Sequence, residues 1–321
     1  MTETPDSPNP DQPDTTAGTL APAPLPAVPD GAFGLGRADV GILRLTGEDR
    51  FAFLQGLVSN DVAAVSDNRA IWAAFLTPQG KYLHDMVIAA LGDALVITCE
   101  GARRDDLLRR LRLYRLRSRV DLADVTAEMG CAQVYGSAAA DRFALAAEAG
   151  AAAPQGEGVA LVDPRHPALG VSLIGPRDWL DGMLAGLPTG DHDDWEAIRL
   201  DLGIPDGSRD LIIDKSILLE NGFDELNGVS WSKGCYMGQE LTARTKYRGL
   251  VKKRLMPVRV DGPPPPPGTP LMLDGREMGE IRSGQGTRAL ALVRLEAAVD
   301  GRPLIAGDAT VTPLKPAWAR F

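Results

Sequence analysis

The chain has 321 residues, of which 44% are hydrophobic, and a formal net charge of −9. That length and apolar content support two or three packed subdomains, and the acidic balance excludes a nucleic-acid binder working by bulk charge. Three widely spaced cysteines (Cys99, Cys131, Cys235) and three scattered histidines (His84, His166, His192) speak against a disulfide framework and against a self-contained zinc or cluster site.

Residues 1–32 are rich in Pro, Thr, Asp and Ala and are expected to form a disordered tail. They contain no apolar signal-peptide core, and no Lys or Arg precedes Arg37, which predicts a cytosolic chain. No apolar run reaches the ~18 residues needed to cross a membrane, so no membrane partner is expected. Val40–Leu45 alternates as a strand, and Glu48–Leu57 reads as a helix with Phe51 and Leu54 on one face. Ile71–Leu76 and Tyr82–Ala90 form a hairpin about the turn Thr77-Pro78-Gln79-Gly80, with Ala94–Thr98 as a further strand.

Residues 101–119 carry eight arginines over a helical repeat of Leu107, Leu108, Leu111 and Tyr114. They read either as a solvated amphipathic helix or as an anion-attracting face. A strand is expected over Val120–Met129, a small helix and mobile loop over Ser137–Gly158, and a strand at Val171–Ile174. A helix opening at Pro176 follows, then another over Asp193–Leu202, capped near Asp191 and stopped by Gly203-Ile204-Pro205. From Leu250 onward, short strands separated by Gly and Pro turns, including the loop Pro263–Pro267, predict a small β-barrel.

Chemistry concentrates in Trp231-Ser232-Lys233-Gly234-Cys235-Tyr236-Met237-Gly238-Gln239-Glu240. Gly234 and Gly238 permit tight backbone geometry, and Leu241–Tyr247 can continue as a helix. A helix start beside Cys235, with Lys233 two residues away, favours a thiolate and an anionic ligand. Arg244, Lys246, Arg248, Lys252, Lys253 and Arg254 follow with no acid among them, as a solvated basic loop or a site for an acidic ligand. Cys99 and Cys131 read as small buried hydrophobes.

The motif KGCYMGQE, with Arg244 and KYRG (Lys246–Gly249), resembles the signature of the YgfZ-type folate-binding proteins, relatives of the aminomethyltransferase (T-protein) of the glycine cleavage system. LRLTGEDRFAFLQGLVSNDV, TPQGKYLHDMVI, YRLRSRVDLAD and WEAIRLDLGIP extend the resemblance over roughly residues 37–320. It implies an α+β fold of three subdomains around a central pocket. Residues 33–249 would form the folate-binding region and residues 250–321 an antiparallel β-barrel. It further implies tetrahydrofolate or a one-carbon derivative as ligand, support of iron–sulfur cluster assembly or repair through transient contact with client or assembly proteins, and a monomer.

The signature cysteine carries onto Cys235, with Lys233, Tyr236, Gln239, Glu240, Arg244 and Arg248 from the same motif. The T-protein's Asp-Asp pair on the hairpin matches His84-Asp85, and its folate-contacting Glu aligns with Asp201, one methylene shorter. Strand alternation puts His84 and Asp85 on opposite faces, and Asp85 is expected to point inward. It is expected to orient a pterin, or to act as a general base if burial raises its pKa toward neutrality, or else to sit at a strand edge bonded to nearby backbone. The alternative to an assembly factor is a folate-dependent aminomethyl or one-carbon transferase, which the altered pair disfavours.

Overall fold

The computed structural model describes residues 20–321. The first antiparallel sheet has the order β3-β4-β5-β2-β6, from β3 (Ile71–Leu76), β4 (Tyr82–Leu91), β5 (Ala94–Glu100), β2 (Val40–Thr46) and β6 (Asp121–Asp124). All six residues of β3 are buried, because both faces are covered. Ile71, Ala73 and Phe75 join the core under α1 (Arg50–Gln55) and α2 (Arg104–Tyr114), while Trp72, Ala74 and Leu76 join Trp195 and Ile198 of α4 (His192–Leu202). A strand covered on both sides reads as a continuous apolar run.

The second sheet has the order β1-β7-β10-β9-β8, from β1 (Phe33–Gly36), β7 (Met129–Tyr135), β10 (Val171–Pro176), β9 (Gly158–Val162) and β8 (Ala152–Gln155). Its outer face packs against α3 (Arg177–Leu184). Ile42, Ala89 and Val96 of the first sheet meet Val159, Leu161 and Ile174 of the second, closing the two into one body. The single strand expected over 120–129 is in fact β6 and the start of β7, separated by a turn. The loop expected over 137–158 contains β8, whose Ala- and Pro-rich sequence lacks the usual β-branched signal.

Six strands close the C-terminal barrel in the order β11-β14-β13-β12-β15-β16: β11 (Lys253–Asp261), β14 (Arg288–Arg294), β13 (Arg276–Gln285), β12 (Pro270–Leu273), β15 (Leu304–Ala306) and β16 (Ala309–Pro313). Closure removes the free edges of a small sheet. The end of the RALALVRLEA run departs from strand into α7 (Leu295–Asp300).

The disordered tail expected over 1–32 lies outside the described residues as far as residue 19. Beyond that it needs correction, because the chain is placed from Leu20 onward. Leu20 is buried in the barrel core, the Ala23 N–H donates to the Lys315 carbonyl at 2.7 Å, and the Lys315 N–H donates to Ala21 at 2.8 Å. One apolar anchor and a short extended pairing hold a segment whose composition alone could not bury itself.

Candidate functional site

Between the two sheets lies a cavity of about 330 Å³. Its wall includes Trp72 and Asp85 from the first sheet and Gln133 and Ser172 from the second. Arg37, Asp39, Asp163 and Arg165 come from the connecting segments, and Asp206 and Arg209 from the region of α5 (Gly207–Asp210). Volumes of this order accept a small organic ligand.

Asp85 points into this space, as the alternation predicts. The Tyr82 hydroxyl donates to its Oδ1 at 2.7 Å and the Trp72 Nε1–H donates to its Oδ2 at 3.0 Å. Simple alternation would place Tyr82 on the face opposite Asp85. A register shift resolves this: Phe75 pairs with His84, but Leu76 pairs with Tyr82, so Leu83 is an extra residue on β4. The bulge returns Tyr82 to the cavity face three residues before Asp85. Burial raises the Asp85 carboxyl above the ordinary carboxylate range, and the Tyr82 and Trp72 hydrogen bonds pull it partly back.

His84 faces the other way. Its imidazole is buried and bonds Asp106 Oδ2 on α2 at 2.9 Å. Burial, helped by the Arg103 guanidinium, lowers its pKa to about 4 despite Asp106. One carboxylate of the hairpin therefore serves the cavity.

The cations around the cavity come with their own acids. Arg37 bonds Asp39 at 2.7 Å and stacks 4.4 Å from the centre of the Trp195 ring. Arg165 bonds Asp163 at 2.7 Å, and Arg209 bonds Asp206 and Glu196, each at 2.8 Å. Behind them, the fully buried Arg199 holds Glu196 at 2.7 Å, Asp210 at 2.8 Å and the Ser283 hydroxyl of β13 at 2.8 Å. The barrel reaches the cavity through this network, because the wall itself comes from the two sheets and the α5 region. Arg37, Asp163, Arg165, Asp206 and Arg209 escape a sequence search because they are far apart in the chain. The local signals are an arginine and an acid two residues apart at 37–39 and 163–165 and three apart at 206–209.

Among the motif residues, Cys235 is an exposed free thiol. It precedes α6 (Gln239–Tyr247) by four residues. Lys233 does not turn its charge outward. It is buried, its ammonium donates to the carbonyls of Val58 at 2.8 Å and Asn60 at 2.6 Å, and burial lowers its pKa to about 8. With Met237 N–H on Gly56 and Ser230 N–H on Ser59, it pins the motif loop onto residues 56–60. Tyr236 is a core residue beside Trp72 and Phe223, and the Gln239 side chain accepts the Tyr236 N–H at 3.3 Å.

Gly238 sits at φ +81 against the hairpin turn, where a Cβ would lie 2.6 Å from the Thr77 carbonyl. Only glycine fits such a position. Glu240, Arg244 and Arg248 are exposed on α6 and just beyond it. Asp201 stands apart from both regions: it pairs with Arg288 of the barrel at 2.9 Å. Of the residues expected from sequence, only Asp85 lines the cavity. Cys99 and Cys131 are also on its wall, each pushed up to about 12 by burial, so they are neutral thiols. Among the described residues no group of His, Cys, Asp and Glu is arranged to hold a metal ion.

Comparison with known proteins places this geometry. Residues 37–152 match the family model of the GCVT N-terminal domain, and residues 252–321 match that of the CAF17 C-terminal beta-barrel domain. The crystal structure of glycine cleavage system aminomethyltransferase T from Bartonella henselae superposes with a TM-score of 0.74 over 91% of this chain and 87% of that one. At 13% identity, it shows that the fold is aminomethyltransferase-like and nothing more. The Homo sapiens protein named iron-sulfur cluster assembly factor IBA57, mitochondrial, is 35% identical over 272 residues, covering 78% of this chain and 74% of that protein. Its Mus musculus counterpart is 31% identical over 280 residues, covering 79% and 75%.

These relatives are named as mitochondrial, which overturns the cytosolic placement expected from the N-terminal composition. That expectation rested on the composition of residues 1–32 alone. The chain belongs to the IBA57-type family of iron–sulfur cluster assembly factors, built on an aminomethyltransferase-like fold with a closed six-stranded barrel.

Proposed function

We propose that this chain supports assembly or repair of iron–sulfur clusters in other proteins, using Cys235 at its surface and tetrahydrofolate, or a one-carbon derivative, in its central cavity. The buried Asp85 carboxylate carries the folate part of the reading. Each of its oxygens takes one hydrogen bond from Tyr82 or Trp72, leaving acceptor capacity toward the cavity for the N–H edge of a pterin. Trp72 supplies an aromatic wall, and Arg37, Arg165 and Arg209 supply donors for the carboxylates of a glutamate tail. When bound, the folate would supply one-carbon chemistry. The protein's part is to hold the ring edge at Asp85 and exclude water.

Cys235 is the acting thiol in this reading, supported by its exposure in the motif shared in appearance with the YgfZ-type proteins. One cysteine cannot ligate a cluster alone, so contact with client or assembly proteins is shared and transient, and the protein acts as a monomer. Lys233, Gln239 and Tyr236 position the loop. An aminomethyl-transferase reading is disfavoured, because His84 is turned to α2 and leaves the cavity a single hairpin carboxylate.

Titration calorimetry with tetrahydrofolate, and mass spectrometry of the purified protein for co-bound folate, test the cavity. Micromolar binding lost in Asp85→Ala is expected, and absence of binding would reject the folate reading. A Cys235→Ser protein that folds normally and yet restores iron–sulfur enzyme activity in depleted cells would remove Cys235 from the account.

A further inference from the structure

The surface around residues 231–252 joins exposed cations and aromatics to the exposed Cys235 thiol. Trp231 is 37% exposed, Tyr247 77% and Leu250 47%. Exposed Arg244, Lys246, Arg248 and Lys252 are interleaved with them. The Lys246 ammonium lies 4.0 Å from the Trp231 ring centre, and the Tyr247 ring meets Trp231 edge-on at 6.4 Å. The chain therefore leaves Trp231, presents Cys235, runs through α6 and returns to Trp231, so the thiol sits on a closed loop with the aromatics and cations at its base.

Two acids are near: Asp224, 3.9 Å from Lys246, and Glu240 at the start of α6. Arg244, Arg248 and Lys252 make no ion pair among the described residues, unlike the paired arginines of the cavity. Solvated surface cations are ordinary. Unpaired arginines set among exposed Trp and Tyr have instead the composition of interface hot spots.

We propose that this face docks an acidic protein segment and delivers it to Cys235. Carboxylates of the partner meet Arg244 and Arg248, and an apolar side chain of the partner packs against Trp231 and Tyr247. Charge complementarity selects this occupant: four exposed cations, three of them without an ion pair among the described residues, draw an acidic segment to the face that also carries the thiol. A patch of four cations with Asp224 and Glu240 beside it is too small and too mixed for a nucleic-acid backbone. The proposal rests on Cys235 being the acting thiol, and it needs neither folate nor a cluster.

The test uses two synthetic peptides, one rich in Asp and Glu and one rich in Lys. Each carries a single cysteine activated as the mixed disulfide with thionitrobenzoate. The Cys235 thiolate attacks the peptide sulfur, a protein–peptide disulfide forms, and thionitrobenzoate leaves with the bonding electron pair and is read by its absorbance. Cys99 is buried and Cys131 lies inside the cavity wall, both as neutral thiols, so Cys235 gives the signal.

The acidic peptide is expected to react about tenfold faster than the basic one at low salt, the two rates converging as salt rises. Arg244→Glu with Arg248→Glu is expected to invert the preference, and Tyr247→Ala to slow the acidic peptide alone. Equal rates for the two peptides, an unchanged ratio in the double variant, or equally strong competition by a single-stranded oligonucleotide would overturn the docking proposal. Failure of tetrahydrofolate to bind would leave this ratio untouched, so the two readings fail separately.

Discussion

Around the cavity, each arginine is matched to an acid: Arg37 to Asp39, Arg165 to Asp163, and Arg209 to Asp206 and Glu196. On the Cys235 surface, Arg244 and Arg248 have no such partner among the described residues and are exposed. The difference follows from desolvation. An unpaired buried charge costs several kcal/mol, so a buried polar site must be assembled with its counter-ions before any ligand arrives. A surface cation costs little and can wait for a partner. The cavity is thus a preorganised site and the Cys235 face an open one.

The sharpest way to break this contrast is to remove the ion behind the cavity. Arg199→Met leaves Asp210 buried without its cation and Glu196 with Arg209 alone, and is expected to destabilise the fold by about 3–5 kcal/mol, seen as a lower urea midpoint. The hairpin histidine comes next. Its folded-state pKa of about 4 lies below the ordinary 6.5, so the fold disfavours the imidazolium. The contribution of neutral His84 is fully present above pH 6.5 and is lost as pH falls through 4. The loss is on the order of 3 kcal/mol, and His84→Gln should flatten this part of the pH–stability curve.

Asp85→Asn sharpens the comparison from the ligand side. Tetrahydrofolate affinity should fall by at least about tenfold in calorimetry while stability changes by less than about 1 kcal/mol, and Cys235→Ser should leave that affinity unchanged. The smallest effect belongs to the open surface. Arg244→Ala with Arg248→Ala should change the unfolding free energy in urea by no more than about 0.5 kcal/mol, although it removes the charge part of the expected peptide preference.

The two regions were also unequally legible in the sequence. The Cys235 motif is contiguous, and its glycines, thiol and following basic run lie within twenty-odd residues of chain. The helix over 193–202 was equally plain, with Asp191 accepting the Asp193 N–H at 2.9 Å and Gly203 ending it at φ +74. The cavity draws on segments near residues 37, 85, 163 and 206, and nothing local joins them. Lys233 misled because two residues of spacing gave proximity to Cys235, while the depth of the loop sent its ammonium to Val58 and Asn60. Asp201 misled in the same way: its place at the end of α4 is against the barrel, which the alignment of a short motif does not contain.

Alternation, caps, turn residues and one unbroken motif were determined by the chain itself, because each is an interaction between residues a few positions apart. They were enough for the hairpin, helices α1 to α4 and α6, the barrel and the opposite facing of His84 and Asp85. The extra residue at Leu83, the gathering of three separate arginine–acid pairs around one cavity and the inward turn of Lys233 were decided only by tertiary structure. Each depends on what another, distant segment leaves buried and in need of a hydrogen bond, and a pattern read along the chain does not contain that demand.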